Sequence, residues 1–268
     1  MKGAKAVSAE CTENKMKIHE QSYLDREKPS LTVIDGDIPL EFDIPTGASI
    51  LIISHTQSYL THGLHKFPAK FFPELPRWVI RKYSNKDHVI LDPMAGSGTV
   101  NLECLLEKRD SIAIDIDPFA RLLIKVKTTP LSPSSLVEVK DWLVKNIDGS
   151  PEYPPLIPDF PLRDDLWFIP YVSMELGTIK AHVDRIPERF RRYGDKEAKD
   201  LKDFFSICFS SIIREVSNAD THCTRTVVRK ARPKKVPPGM AIKRFKETLK
   251  KQVPKLSLIH ISEPTRPY

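Results

Sequence analysis

The residues best suited to chemistry lie together in one short stretch, Val89-Ile90-Leu91-Asp92-Pro93-Met94-Ala95-Gly96-Ser97-Gly98-Thr99, with Asp115 following. Gly96 and Gly98 allow the backbone to turn tightly and to approach a ligand closely. A helix starting after such a loop aims its free N–H groups back at it, where carboxylate or hydroxyl oxygens can accept hydrogen bonds. An acid at the tip of the next strand is placed to accept hydrogen bonds from ribose hydroxyls. Asp115 stands about twenty residues beyond the glycines, the separation that this geometry asks for. The chain has only ten glycines in 268 residues, so this pair stands out.

Several ligands use this layout, and two are excluded by sequence. A dinucleotide loop requires Gly-x-Gly-x-x-Gly, and the third position here is Asn101. A phosphate-binding loop requires Gly-Lys-Ser/Thr, which does not follow. What remains is a Rossmann-like site with no pyrophosphate to hold, which suits S-adenosylmethionine. A plain strand-to-helix turn is the other reading of the same glycines.

The elements that must position these residues follow from their pattern. Val89–Asp92 and Ser111–Asp115 are short apolar runs of the buried-strand type, and helices are expected over Thr99–Glu107 and Pro118–Lys127. Asp117 is a fitting N-cap, with Pro118 at the first helical position. Strand, loop, helix, strand, helix is a βαβα order and predicts an α/β fold with a parallel, doubly wound sheet. Upstream, Ser30–Ile34 and Ala48–Ile53 read as short strands. Phe67-Pro68-Ala69-Lys70-Phe71-Phe72-Pro73 is too rich in proline for a regular helix, and a helix is expected over Glu74–Tyr83. Beyond Thr128 the pattern becomes helical, with segments near Ser135–Asn146, Val172–Asp184 and Asp195–Val216. Leu201, Phe204, Phe205, Cys208, Ile212 and Val216 recur at helical spacing, as core residues do. The expected organisation is an N-terminal region (1–60), a Rossmann-like core (61–130), a helical insertion (131–220), a basic segment (221–255) and a tail (256–268).

Charge separates these regions. The net charge is +7, yet Thr221–Lys255 alone carries twelve Lys/Arg against one acid, Glu247, so the preceding domain is slightly acidic. Arg232, Lys234, Lys235, Lys243 and Arg244 are the candidates for contacting nucleic-acid phosphates, because each neutralised phosphate releases a counterion. A solvated charged linker is the competing reading. Cys11, Cys104, Cys208 and Cys223 form no Cys-x-x-Cys pair, which argues against a disulfide scaffold or a paired-cysteine zinc site and for a reducing cytoplasm. No apolar run approaches the length of a membrane span, and no secretory signal follows Met1.

Asp92-Pro93-Met94-Ala95-Gly96-Ser97-Gly98-Thr99 resembles the Asp-Pro-Phe-x-Gly-Ser-Gly-Thr motif of amino-group DNA methyltransferases, which methylate adenine N6 or cytosine N4. Phe67–Pro73 resembles a segment that precedes that motif in some members, and Ile114-Asp115-Ile116-Asp117-Pro118 resembles the acidic second motif. The resemblance spans about Thr61 to Thr129, with Met94 replacing the usual Phe. It implies a Rossmann-like methyltransferase sheet that binds S-adenosylmethionine. Asp92, Gly96, Ser97 and Gly98, within a loop that includes Ala95 and Thr99, would hold the methionine part. Asp115 would hold the ribose, and Ile116 would pack on adenine. Lys70 and the Phe67-Pro68-Ala69 backbone would close the methionine end. DNA is the implied substrate, with RNA as an alternative, and a restriction endonuclease is a possible partner. A guanine amino-methylating RNA enzyme and a non-catalytic nucleic-acid-binding protein share these features.

Family catalysis uses a further motif, Asp/Asn/Ser-Pro-Pro and an aromatic, which orients the target amine and stacks on the flipped base. Tyr153-Pro154-Pro155-Leu156 and Val236-Pro237-Pro238-Gly239 do not fit it. Leu256–Tyr268 breaks from the lysine-rich stretch before it and resembles a translated sequencing adapter. The expectation is therefore an incomplete sheet, cut near Lys255 before its catalytic motif, and a fragment inactive by itself.

Overall fold

The computed structural model describes residues 31–44, 46–55, 57–148, 152–157, 164–220, 227–229 and 234–262. Arg232, Cys11 and Cys223 lie outside them. The chain forms two compact units, residues 1–55 and 56–268.

In the first unit, β1 (Leu31–Asp35) pairs in parallel with β2 (Ser49–Ile53), Leu31 opposite Ser49 and Asp35 opposite Ile53. Both were expected from their β-branched runs.

The second unit holds the chemistry-bearing loop. It begins with a 3-10 turn, Leu60–Gly63, and α1 (Glu74–Tyr83). Then come β3 (Val89–Asp92), α2 (Thr99–Leu106), β4 (Asp110–Ala113) and α3 (Pro118–Thr128). β3 and β4 pair in parallel, Val89 opposite Asp110 and Asp92 opposite Ala113, with α2 between them in sequence. This is the expected βαβ unit; among the described residues its sheet has two strands. Asp117 caps α3 by accepting a hydrogen bond from Phe119 N at 2.9 Å, and Pro118 opens the helix.

The helical region consists of α4 (Pro133–Asn146), α5 (Asp164–Trp167), α6 (Pro170–Asp184), α7 (Ile186–Arg189), α8 (Asp195–Val216) and α9 (Met240–Ser262). It shares one apolar core with α2 and α3. Leu102 and Leu123 are buried in the same cluster as Leu136, Val172, Leu201, Phe204, Phe205, Cys208 and Phe245. The α8 stripe is therefore core. α9 has no counterpart in the sequence reading. It crosses the boundary expected at 255–256, and its Leu256 and Ile259 are buried with Phe245 and Leu249. Among the described residues no helix is long and apolar enough to cross a membrane.

The βαβ pair is covered unevenly. Val89, Leu91, Ile112 and Ile114 are all more than half exposed. Their alternation places them on one face of the pair, opposite the helices, because side chains point to opposite faces at successive positions. An apolar face of this kind promotes association. The chain is expected to self-associate on concentration, and Leu91→Lys with Ile112→Glu should shift it toward monomer in sedimentation velocity. Unchanged sedimentation on those substitutions would count against that face.

Candidate functional site

The loop Pro93–Gly98 leaves the C-terminal end of β3 and turns into α2. Two backbone bonds extend the β3–β4 pairing into it: Ile114 N donates to Asp92 O at 2.9 Å and Ala95 N donates to Ile114 O at 3.0 Å. Gly98 N then closes the turn onto Ala95 O at 2.8 Å. Both glycines are left-handed, Gly96 at φ 51° and Gly98 at φ 72°, where a side chain is strained. Space also constrains them. A Cβ at Gly98 would stand 2.8 Å from Ile124 Cγ1, so Gly98 is dictated by its approach to α3. The reason offered from sequence was a different one, the close approach of the backbone to a ligand. A Cβ at Gly96 would meet Phe67 Cε1 at 3.5 Å, so the Phe67 ring lies against the loop.

Asp115 lies beside the loop. Its Oδ2 accepts from Gly96 N at 2.7 Å and its Oδ1 from Asp117 N at 2.8 Å. Those two backbone donors hold its carboxyl below the usual carboxylate range, so it is ionised at neutral pH. Each oxygen keeps a lone pair for a further donor such as a hydroxyl. Ile116 and Met94 project at the same end of the strands, 96% and 86% exposed. Asp92 accepts from Met94 N at 3.2 Å and so shapes the loop from inside. Ser97 and Thr99 are buried, and their hydroxyls are 3.3 Å apart. Ala95 is buried too, so this side of the loop faces the protein.

In the preceding segment, Pro68 and Ala69 are exposed, and Ala69 is left-handed at φ 51°. Lys70 Nζ donates to His62 O at 3.0 Å and Gln57 O at 3.3 Å. It straps the segment to the 3-10 turn.

Sequence reasoning missed the ionic cluster underneath. Glu103 of α2 is fully buried and accepts from His62 Nε2 at 2.7 Å, from Arg77 Nε at 2.9 Å and from the Tyr59 hydroxyl. Arg77 also donates to Tyr59. The cluster ties the 3-10 turn and α1 to the helix that starts at the glycine loop. A signal existed: Glu103 is the one carboxylate among the apolar Leu102, Cys104, Leu105 and Leu106 of α2. His62 is completely buried, and its Nδ1 meets no partner among the described residues. Burial and the neighbouring Lys127, Lys70 and Arg77 push its pKa down to about 3. His62 is thus a neutral donor to Glu103.

This fixes a pH dependence. The unfolded chain takes up a proton at His62 below about pH 6.5, while the folded one resists until about pH 3. Stability is therefore full above the unfolded pKa and is lost as pH falls between those values. Between pH 7 and pH 5 the loss should be roughly 2 kcal/mol. Urea titrations at the two pH values check this, and a His62→Gln variant should show a flatter difference.

The expected basic residues are placed differently from one another. Lys235 and Lys243 are exposed. Lys234 donates to Glu215 O, and Arg244 pairs with Glu247 at 2.9 Å and lies 4.0 Å from Glu215. Lys250 and Lys251, which the sequence reading passed over, are exposed on α9 as well. Lys243 and Lys250 are two turns apart and share a face.

Comparison with known proteins bears on this geometry. Residues 8–125 match the model of a DNA methylase family, N6_N4_Mtase. Over this region the chain is similar to that family. The family uses S-adenosylmethionine. Among characterised relatives, the type II methyltransferase M.MvaI of Kocuria varians is 31% identical over 170 residues, 59% of this chain and 35% of the relative. The type II methyltransferase M.MjaII of Methanocaldococcus jannaschii is 33% identical over 92 residues, 34% of this chain and 17% of the relative. The chain thus spans about a third or less of the length of these relatives. No solved structure matches it.

Proposed function

We propose that the chain holds S-adenosylmethionine at the Asp92–Thr99 loop and Asp115, and that the whole protein transfers a methyl group to an exocyclic amino group of a DNA base, cytosine N4 or adenine N6. The observation that carries this reading is Asp115. Its carboxylate is anchored by Gly96 N beside a left-handed glycine loop, at the open end of a parallel strand pair. Such a carboxylate suits the paired hydroxyls of a ribose, and the exposed Ile116 suits the face of an adenine. The backbone of Gly96 to Gly98 would hold the methionine end, with Phe67 packed behind it. When bound, S-adenosylmethionine supplies an activated methyl group.

The loop lacks the third glycine of a dinucleotide site, so the test is a choice between ligands. Calorimetry should show binding of S-adenosylmethionine and S-adenosylhomocysteine and none of NAD. Asp115→Ala should weaken binding roughly tenfold or more, the scale of a lost hydrogen bond to a charged group. Binding of NAD in preference, or unchanged affinity in the Asp115 variant, would overturn the reading.

DNA is the substrate we infer in preference to RNA, on the strength of the family and the two type II relatives. The chain's own contribution to DNA binding would be the exposed lysines of its basic segment. Lys235 and Lys243 should carry phosphate contacts, and Lys234 and Arg244, already engaged by Glu215 and Glu247, should carry less. Replacing Lys235 and Lys243 by Ala should reduce the slope of log affinity against log salt by roughly 1 per lysine. An unchanged slope would return the segment to a solvated linker.

We also propose that the chain alone transfers no methyl group. Neither Pro-Pro site supplies a polar residue before it and an aromatic after it to orient an amine. Pro154-Pro155 is preceded by Tyr153 and followed by Leu156, and Pro237-Pro238 is preceded by Val236 and followed by Gly239. Transfer of labelled methyl to DNA by the purified chain, abolished by Asp92→Ala, would refute this.

A further inference from the structure

Lys127 is the most unusual side chain in the core. The inward stripe of α3 runs Ala120, Leu123, Ile124 and Lys127, all buried, at the spacing of one helix face. An apolar residue is the ordinary occupant of the last position. The lysine there is completely buried. Its Nζ donates to Ser97 O at 2.5 Å, the one acceptor it meets among the described residues. Its own carbonyl accepts from the Thr61 hydroxyl at 3.0 Å. Burial of this kind, reinforced by the charge of Lys70, pushes its pKa down to about 7. Keeping an amine in such a place on a single backbone acceptor costs stability.

That bond acts on the peptide that starts α2. The Ser97 carbonyl is drawn toward α3 by Lys127, and the N–H of the same peptide, on Gly98, points to Ala95 O. One turn earlier on the same stripe, Ile124 sets the space that only Gly98 fits. The peptide is therefore held from both ends, and Thr61 ties the clamp to the turn that leads into the Phe67–Lys70 segment.

We propose that Lys127 is a positioning residue for the cofactor loop, fixing the Ser97–Gly98 peptide so that the loop presents the binding geometry required by the amino-acid end of S-adenosylmethionine. This rests on the function proposed above and deepens it, because it divides the ligand. The adenosine end would be held by Asp115 and Ile116, which Lys127 does not touch. The methionine end would depend on the clamp.

The test uses two ligands that differ only in that end. S-adenosylhomocysteine carries the amino acid, and 5'-methylthioadenosine does not. Each is titrated calorimetrically into the 268-residue chain, into Lys127→Met, which keeps the stem and removes the donor, and into Lys127→Gln, which keeps a donor. Lys127→Met should lose at least about tenfold in affinity for S-adenosylhomocysteine and retain its affinity for 5'-methylthioadenosine. Lys127→Gln should lose less. A merely structural lysine would weaken both ligands together, and that result would overturn the proposal, as would unchanged affinity for both. Loss of the thermal unfolding transition in both variants would also overturn it, since the residue would then serve the fold and not the loop. Failure of the unsubstituted chain to bind either ligand would be a different result. It would remove the cofactor reading itself.

Discussion

Glu103→Leu should destabilise the second unit by about 3–5 kcal/mol, the usual cost of removing one partner from a buried ion pair. The carboxylate has no exposure, and its loss takes the charged acceptor from the Arg77 guanidinium and the acceptor from the His62 ring N–H together. His62 already has one unsatisfied ring nitrogen, so its imidazole would be left without either bond. The leucine fills the space and cannot accept a hydrogen bond. Urea unfolding followed by tryptophan fluorescence reports the change, since Trp78 of α1 is buried in the same unit. Adding Arg77→Met should recover part of the loss, because no guanidinium charge is then left without its carboxylate counterion. A drop below about 1 kcal/mol, the range of an exposed pair, would mean that water reaches Glu103 and that the cluster does not hold the helix.

Gly98→Val should abolish cofactor binding and weaken the fold at once. The left-handed backbone alone costs about 1–2 kcal/mol for a residue with a Cβ, and valine is among the residues least suited to it. The clash with Ile124 adds to this, because the Cβ would lie 2.8 Å from a side chain that is itself packed in the core. Either α3 moves away or the turn unwinds, and both displace Ser97 and Asp115. Gly96→Ala tests the loop more gently, with its nearest neighbour, Phe67, at ordinary contact distance and only the φ of 51° to strain it. The order expected in affinity for S-adenosylhomocysteine is the unsubstituted chain, then Gly96→Ala, with Gly98→Val silent. Full binding by a folded Gly98→Val would show that the ligand does not depend on this turn.

The βαβ unit was legible because its signals are local. Val89–Asp92 and Glu74–Tyr83 begin and end where the sequence places them, and Asp117 with Pro118 announces the start of α3. The glycine loop and Asp115 were legible for the same reason. α9 was not. Its buried residues Ala241, Phe245, Leu249, Val253, Leu256 and Ile259 keep a helical spacing, but lysines crowd the stretch and Pro254 sits inside the helix. Proline removes a backbone donor and discourages a helical reading. The change of composition after Lys255 then suggests a boundary where the helix continues. The ionic cluster and the Lys127 clamp were illegible for a further reason. His62 meets Glu103 across 41 residues, and Lys127 meets Ser97 across 30. Nothing in local pattern pairs such residues. Lys127 stands in the last turn of α3, an ordinary place for a cation, and its burial appears only once α2, α3 and the 3-10 turn are packed together.

The most direct measurement is photo-crosslinking of S-adenosylmethionine carrying a labelled methyl group to the 268-residue chain, followed by peptide mapping. Label should fall between Phe67 and Lys70 or between Val89 and Ile116, and excess unlabelled S-adenosylhomocysteine should remove it. Label confined to the helical region from α4 to α9, or label that S-adenosylhomocysteine does not displace, would contradict a cofactor site built on the glycine loop and Asp115.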